Sequence, residues 1–583
     1  MASFKSRPDR RTFLKQAGLA LPMLLGAGAV FRAEGDPAAG AAPVSAPAPA
    51  PGGNTAPAEL AADLVIIGGG VGGCAAALAA ARQGLRVILT EETDWIGGQF
   101  TAQAVPPDEN RWIETCGGTN SYQEFRTTIR NYYKRNYPLT KTARGLVHFN
   151  PGNCWVSALG HEPRVSLAAF HELLAPYLGN GQVQILLNHQ ATAADTDHDH
   201  VNAVRVVNRQ SGQETILHAP FFADATELGD LLPLTGAEYS LGADAQRDTR
   251  EEHALPVAEP LNQQPFTMSF AMEFRAGENH VIDRPRDYAF WRDFVPQNQR
   301  GAKFPLFSLS DPEAAKIGFN PAARTGFWTY RRIADRDNFT PGFYGGDITL
   351  TNWRHNDYTL GTLVDVPAEE AARQIERARQ QSLSLLYWLQ TEAPRPDGGT
   401  GWPGLRLRPE VVGTADGLVK HPYVREGRRL RTEFTILEHH VSLLARMKIT
   451  GLKSTVATAE VFPDTVGIGS YTIDIHASAT HGGFFLKTAP FQIPLGALLP
   501  QRLENLLPAC KNIGVTHITN GCYRLHPVEW NIGESVGNLV AFCLDRKCPP
   551  RQVRADPALL ADFQAHLRRA GVPLEWPKDL NRT

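Results

Sequence analysis

Cysteine is scarce in this chain. Seven residues in 583 cannot staple a fold of this size, and no Cys-x-x-Cys pair occurs. A disulfide scaffold is therefore excluded. Charge of one sign is also missing: 58 Lys and Arg face 60 Asp and Glu, a formal net charge of -2. A broad nucleic-acid-binding surface needs an excess of positive charge, so none is expected. After the first thirty or so residues no apolar run reaches the ~18 residues that a membrane span requires. No Cys or acid cluster stands at metal-ligand spacing, and no repeat of about 20–50 residues is present. What remains is ordinary globular material. Hydrophobic residues make up 43% and charged residues 20%, enough for a large core and too apolar for wholesale disorder. The length allows roughly three domain-sized units. Gly (52) and Pro (42) run modestly above average usage, which suits a loop-rich enzyme.

The N-terminus reads as an address. Residues 9–15 place Arg10 and Arg11 before Thr12, Phe13, Leu14 and Lys15. A Gly- and Ala-rich apolar stretch follows to Phe31, about 15 residues and short of a comfortable membrane span. The pattern resembles twin-arginine export signals, with Asp9 where Ser or Thr often stands. The resemblance implies a signal over residues 1–35, the twin-arginine (Tat) export machinery as partner, and a periplasmic or secreted mature protein. Residues 36–59 are mostly Ala, Pro and Gly, with an Ala-Pro repeat at 46–51. Proline disfavours helix and sheet interiors, so this segment reads as a partly extended linker.

A nucleotide-binding unit opens the globular part. An apolar strand is expected over residues 62–67, then Gly68, Gly69, Gly70, Val71, Gly72 and Gly73, then an Ala-rich helix to Gln83. A second strand over residues 86–90 ends at Glu91. Gly68 permits a tight turn, Gly70 lets the backbone approach a pyrophosphate, and Gly73 lets helix and strand pack closely. The helix N-terminus offers free N–H groups and the positive end of its dipole to phosphates. Glu91 can accept hydrogen bonds from ribose hydroxyls and disfavours a 2′-phosphate.

Further motifs choose the cofactor by resemblance. Gly97 and Gly98 form a glycine pair soon after Glu91. Residues 221–226 run Phe-Phe-Ala-Asp-Ala-Thr, followed by Glu227. A strand is expected over residues 504–510, then a helix beyond Arg524 carrying Gly533 and Gly537. The segments at 387–392 (Tyr-Trp-Leu-Gln-Thr-Glu) and 422–429 (Pro-Tyr-Val-Arg-Glu-Gly-Arg-Arg) complete the pattern. Together they resemble the FAD-dependent oxidoreductase family with a glutathione-reductase-like FAD-binding fold. Glu227 replaces the Gly usual in its motif, and Gly427 replaces a Ser. The resemblance implies an α/β chain: a Rossmann-like FAD-binding domain with an interleaved α+β substrate domain. The FAD-binding domain would take residues 60–235 and 490–550, the substrate side 236–489, and residues 551–583 a C-terminal extension. It implies FAD as cofactor, with Gly68, Gly70, Gly73, Glu91, Gly97, Gly98, Asp224 and Gly533 beside it.

The same resemblance implies oxidation of a small-molecule substrate, with hydride transferred to FAD and electrons passed to oxygen or another acceptor. A flavin monooxygenase and a noncatalytic flavin-binding protein are the alternatives. No second complete glycine fingerprint is present to hold a nicotinamide. His526 and Arg524, at the start of the late helix, are the candidate catalytic residues: a polar group at the reacting centre, and a cation for reduced-flavin charge or an anionic substrate. The Arg425, Arg428, Arg429 and Arg431 cluster reads as a salt-bridged helix face, with anion capture as the alternative. His476 and His481 flank a small-residue loop that either lines the substrate pocket or is a plain polar loop.

Overall fold

The computed structural model describes residues 57–296, 304–310 and 312–580. The signal and most of the linker lie outside the described residues. The linker ends earlier than its composition suggests, because β1 (Ala58–Ala61) pairs in parallel with β7 (Glu214–His218). An edge position beside β7 tolerates its small and polar residues.

The central sheet follows from β2 (Leu64–Ile67), which is apolar on both faces. Side chains alternate along a strand. Leu64 and Ile66 therefore enter the main core, while Val65 and Ile67 enter a second cluster with Val204, Val206, Leu217 and Phe222. Each such fully buried side chain stabilises the fold by about 1.5–3 kcal/mol. A strand buried on both faces belongs inside a parallel sheet covered on both sides. Five parallel strands run in the order Leu506–Pro508, β8 (Phe221–Asp224), β2, β3 (Val87–Glu91), β4 (Val183–Leu187). In register, Ile67 lies beside Thr90 and Asp224, and Asp224 beside Pro508. Gly68, Glu91, Ala225 and Ala509 therefore leave the sheet along one carboxyl edge. The second cluster is closed by a four-stranded sheet in the order β1, β7, β6 (His200–Asn208), β5 (His189–Asp197). The polar stretch at 195–200 is the turn of the β5–β6 hairpin, with His198 at φ 51°.

Residues 236–489 supply an antiparallel four-stranded sheet in the order Arg332–Ala334, Ile348–Thr351, Phe270–Phe274, Leu405–Leu407, together with the long helix Ala368–Thr391. This is the α+β arrangement expected there. No seam divides it from the nucleotide-binding part, since one hydrophobic cluster takes in Ile66, Met272, Leu389 and Val536. Phe563 and Leu567, in the expected C-terminal extension, are buried in the same cluster. Among the described residues, no helix is long and apolar enough to cross a membrane.

The two ends of the chain meet at a crossing of helices. α1 (Val71–Arg82) is rich in Gly and Ala, and it packs on the late helix His526–Arg546. A Cβ on Gly72 would lie 1.8 Å from the Ala509 carbonyl oxygen, and one on Gly533 would lie 1.9 Å from that of Gly72. One turn on, a Cβ on Gly537 would come within 2.4 Å of the Ala76 carbonyl. Only glycine permits these approaches. Gly533, expected beside the cofactor, packs against the Gly72 backbone. Gly533→Val is expected to cost about 3 kcal/mol or more, because backbone cannot move aside as a side chain can. Gly179→Ala, at a helix end with open space around it, is expected to stay within about 1 kcal/mol of the parent. Denaturant midpoints measured for both variants check this; equal midpoints contradict it.

Candidate active site

A cavity opens along the carboxyl edge of the parallel sheet, where ligands bind in open α/β sheets. Its walls include Gly68, Gly70, Glu91, Gly98, Gln103 and Thr226. Gly68 stands at φ 99°, and a Cβ there would meet the Ala225 backbone at 2.4 Å. Gly70 caps α1 in extended conformation, which aims the first N–H groups of the helix at the same edge. Gly73 packs against the Gly68 carbonyl, as its spacing implies. The glycine pair divides its work. Gly98, at φ 47°, lines the cavity beside Gly70. Gly97, at φ 108°, turns towards the Phe170 ring, and its N–H donates to the Gly69 carbonyl at 2.7 Å.

Glu91 lies at the cavity wall, but both of its oxygens are engaged. Oε2 accepts from the Gly69 N–H at 3.1 Å, and Oε1 accepts from the N–H and hydroxyl of Thr93 at 2.9 and 2.7 Å. Burial, followed by the charge of Glu92, pushes its carboxyl up to about 7. Glu92 also faces the cavity, paired with His421 at 3.0 Å and Arg209 at 3.1 Å. Burial opposes the charge of His421, but Glu92 outweighs it and raises the imidazole to about 9. Asp224 does not line the cavity. It accepts from the Thr226 N–H and hydroxyl and from the Leu231 N–H, and so pins the turn that brings Ala225, Thr226 and Glu227 there. The departure at Glu227 has a partner: its carboxylate pairs with the buried Lys511 ammonium beside the Leu506–Pro508 strand.

The residues present fit FAD. Gln103 is 1% exposed and lines the cavity, yet neither atom of its carboxamide finds a hydrogen-bond partner among the described residues. Gln99 Oε1 and Glu227 Oε1 are buried in the same condition. Buried polar atoms of this kind are rare and mark groups completed by something else. Two left-handed glycines and a helix N-terminus at one sheet edge leave the close backbone approach that a dinucleotide needs.

His526 and Arg524 lead away from this cavity into a buried polar cluster, called the chamber below for its place behind His526. His526 is fully buried, stacked edge-on against Phe100 with ring centroids 4.6 Å apart. Its Nδ1 accepts from the Asp108 N–H at 3.2 Å, which leaves the proton on Nε2, and Nε2 has no partner among the described residues. Burial pushes the imidazole down to about 3, so the ring is a neutral donor at ordinary pH. Asp108 in turn is held by Arg331 through two contacts of 3.2 Å. Arg524 donates to the Tyr423 hydroxyl at 2.9 Å and to Asp474 at 3.3 Å. His476 bridges Asp474 (3.4 Å) and Asp357 (2.6 Å), and Asp357 pairs with Arg425 at 2.9 Å.

The arginine cluster at 425–431 is not a helix face. Arg425 belongs to this chamber, Arg428 pairs with Asp230 and Asp365, and Arg429 pairs with Glu426 and Asp244. Sequence reasoning missed Gln103, Asp108, Arg331, Asp357 and Asp474, which come from four separate stretches with no local motif. No group of three or more His, Cys, Asp or Glu among the described residues is placed to hold a metal.

A family model described as FAD dependent oxidoreductase matches residues 63–567. The chain belongs to that family: it is an FAD-dependent oxidoreductase, and FAD is its cofactor. No curated protein matches it. Among solved structures, an E. coli quinol fumarate reductase FrdA variant is 11% identical, with 88% of this chain and 74% of that chain covered and a TM-score of 0.28. L-proline dehydrogenase from P. horikoshii is 19% identical over 34% of this chain and 27% of that chain, with a TM-score of 0.17. The myxobacterial chondrochloren halogenase CndH is 17% identical over 38% and 45%, with a TM-score of 0.20. The chain thus spans less than half the length of the latter two.

Glu91 gives the site a pH signature. Its carboxyl is raised on folding, so the folded chain holds that proton more tightly than the unfolded chain. The Glu91 contribution is complete below about pH 4.5 and is lost as pH rises through about 7. FAD-stripped protein is expected to lose stability to denaturant across that window, and Glu91→Gln to flatten the loss. A wild-type curve no steeper than that of the variant contradicts the assignment.

Proposed function

We propose that the protein is exported through the twin-arginine route and oxidises a small organic substrate, with FAD taking a hydride and oxygen or another carrier taking the electrons onward. The observation that carries this reading is the pairing of the cofactor cradle with the chamber next to it. His526, a neutral buried donor, stands between Phe100 and Asp108, and the chamber behind it is rich in oriented cations. Bound FAD supplies two-electron chemistry. The chain supplies position and charge. His526 Nε2–H can hold an oxygen or nitrogen atom of the substrate, and Arg524 can balance negative charge that builds up nearby. His526 does not act as a base at Nδ1, which already accepts a hydrogen bond.

The glutathione-reductase-like character of the FAD fold is part of this reading, supported by the βαβ unit and the strand returning at Leu506–Pro508. Export rests on Arg10, Arg11 and the short apolar stretch after them. Replacing both arginines by lysine is expected to leave the protein, with its FAD, in the cytoplasmic fraction. Unchanged periplasmic recovery contradicts that route.

Purified protein is expected to carry flavin absorbance and to bleach anaerobically with one member of a substrate panel. Bleaching only by a reduced nicotinamide indicates the monooxygenase alternative. FAD that no compound reduces indicates a binding protein.

A further inference from the structure

The chamber behind His526 is built from three arginines and three aspartates, and its hydrogen bonds are incomplete in one direction. Arg331, Arg425 and Arg524 are 7%, 2% and 2% exposed. Their outer nitrogens are engaged: Arg331 with Asp108, Arg425 with Thr267, Asn352 and Asp357, Arg524 with Tyr423 and Asp474. The Nε–H of each has no partner among the described residues. Neither has the Nδ2 of Asn352 nor, as noted, Nε2 of His526. Among the described residues, the buried acceptors left over on this network are Asp474 Oδ1, Gln99 Oε1 beside Arg524 and Gln381 Oε1 beside Asp357. Donors outnumber acceptors in this remainder, and each buried unpaired polar group costs about 1–3 kcal/mol.

The charges lean the same way. Burial and Arg425 work against protonation of His476, but the flanking Asp474 and Asp357 outweigh them and raise it. With His476 charged, the cations exceed the carboxylates of Asp108, Asp357 and Asp474 by one. His476 also borders open space. Together with Ile475, His481, His517 and Phe484 it lines a second cavity whose rim, at His253, Ser478 and His481, is partly exposed.

We propose that this chamber binds the substrate, and that the substrate is a small organic acid bearing a hydroxyl or amino group. The carboxylate takes the arginine Nε–H donors, and the hydroxyl or amino hydrogen goes to Asp474 Oδ1. Arginine suits this task because its planar fork can hold a structural carboxylate on one edge and offer Nε–H on another. A neutral substrate of the same shape leaves buried cations unanswered and is rejected. The inference rests on the oxidoreductase reading above and narrows it.

The test uses the purified FAD-loaded protein under anaerobic conditions. Lactate, malate, alanine and glutamate are titrated separately, each beside its primary amide, while the flavin spectrum is recorded. The expected result is a saturable change with at least one acid and none with its amide. In Arg331→Lys or Arg524→Lys, which keep the charge but lose the Nε–H, the acid should bind at least about tenfold more weakly at unchanged FAD content; tenfold is about 1.4 kcal/mol. If both variants lose FAD, the acid-against-amide comparison in the parent protein decides. A neutral compound that bleaches the flavin as readily as any acid overturns the proposal and leaves the oxidoreductase reading standing. So does a panel in which every acid leaves the spectrum unchanged at millimolar concentration, or a pair of lysine variants that bind the acid like the parent. A protein that holds no FAD sinks the underlying reading itself.

Discussion

A close backbone approach at one glycine is the contact on which the cofactor site depends. At Gly72 the backbone of α1 touches the Ala509 carbonyl on one side and the late helix at Gly533 on the other. Residues more than four hundred positions apart are thereby held in backbone contact. The consequence is chemical. With Gly72 in place, the Gly72 N–H reaches Glu529 Oε1 at 3.3 Å, Lys511 reaches Glu227, and His526 stands at the start of its helix beside Asp108. A larger residue at this crossing would push the late strand and helix away from the glycine turn, and the site would open before any of its polar groups had changed.

Burial sets the electrostatics of everything built on that crossing. A carboxylate or guanidinium taken out of water must be paired or hydrogen-bonded, or its charge is lost. Glu91 is hydrogen-bonded yet still raised, which marks how little water its wall of the cavity admits. In the chamber the opposite balance holds. Arg425 and His476 keep Asp357 well below the usual carboxylate range despite its burial. Breaking such a pair by removing one partner leaves the other exposed to the full desolvation cost. The chamber is therefore stiff, and stiffness is what a site needs to hold a substrate against one face of a cofactor.

Much of the cofactor end was legible in the sequence, because its information is local. The βαβ unit needs an apolar strand, a glycine turn and an Ala-rich helix in immediate succession, and all three stand in line from Leu64 to Arg82. Glycine, however, carries two meanings that sequence does not separate. Gly68, Gly70 and Gly98 meet the cavity, whereas Gly97 and Gly533 serve packing against Phe170 and Gly72. Asp224 holds the turn after its strand, a role that a buried acid at a strand end can take as well as facing a ligand. The chamber was almost invisible. Asp108, Arg331, Asp357, Arg425 and Asp474 are ordinary charged residues in their own stretches, and only the tertiary fold brings them together. Residues 425–431 do not form a helix face, because the segment is mostly irregular, with a two-residue strand at Arg429–Leu430, and sends Arg425, Arg428 and Arg429 to different carboxylates.

The central claim is that both ends of the chain build one FAD cradle inside one cooperative fold. Scanning calorimetry of the FAD-loaded and FAD-stripped protein tests it most directly. A ligand that binds only the folded state raises the unfolding temperature. The account predicts a single transition in both samples, moved upward as a whole by FAD. Two transitions, with FAD moving only the one that unfolds residues before the late strand, would contradict it.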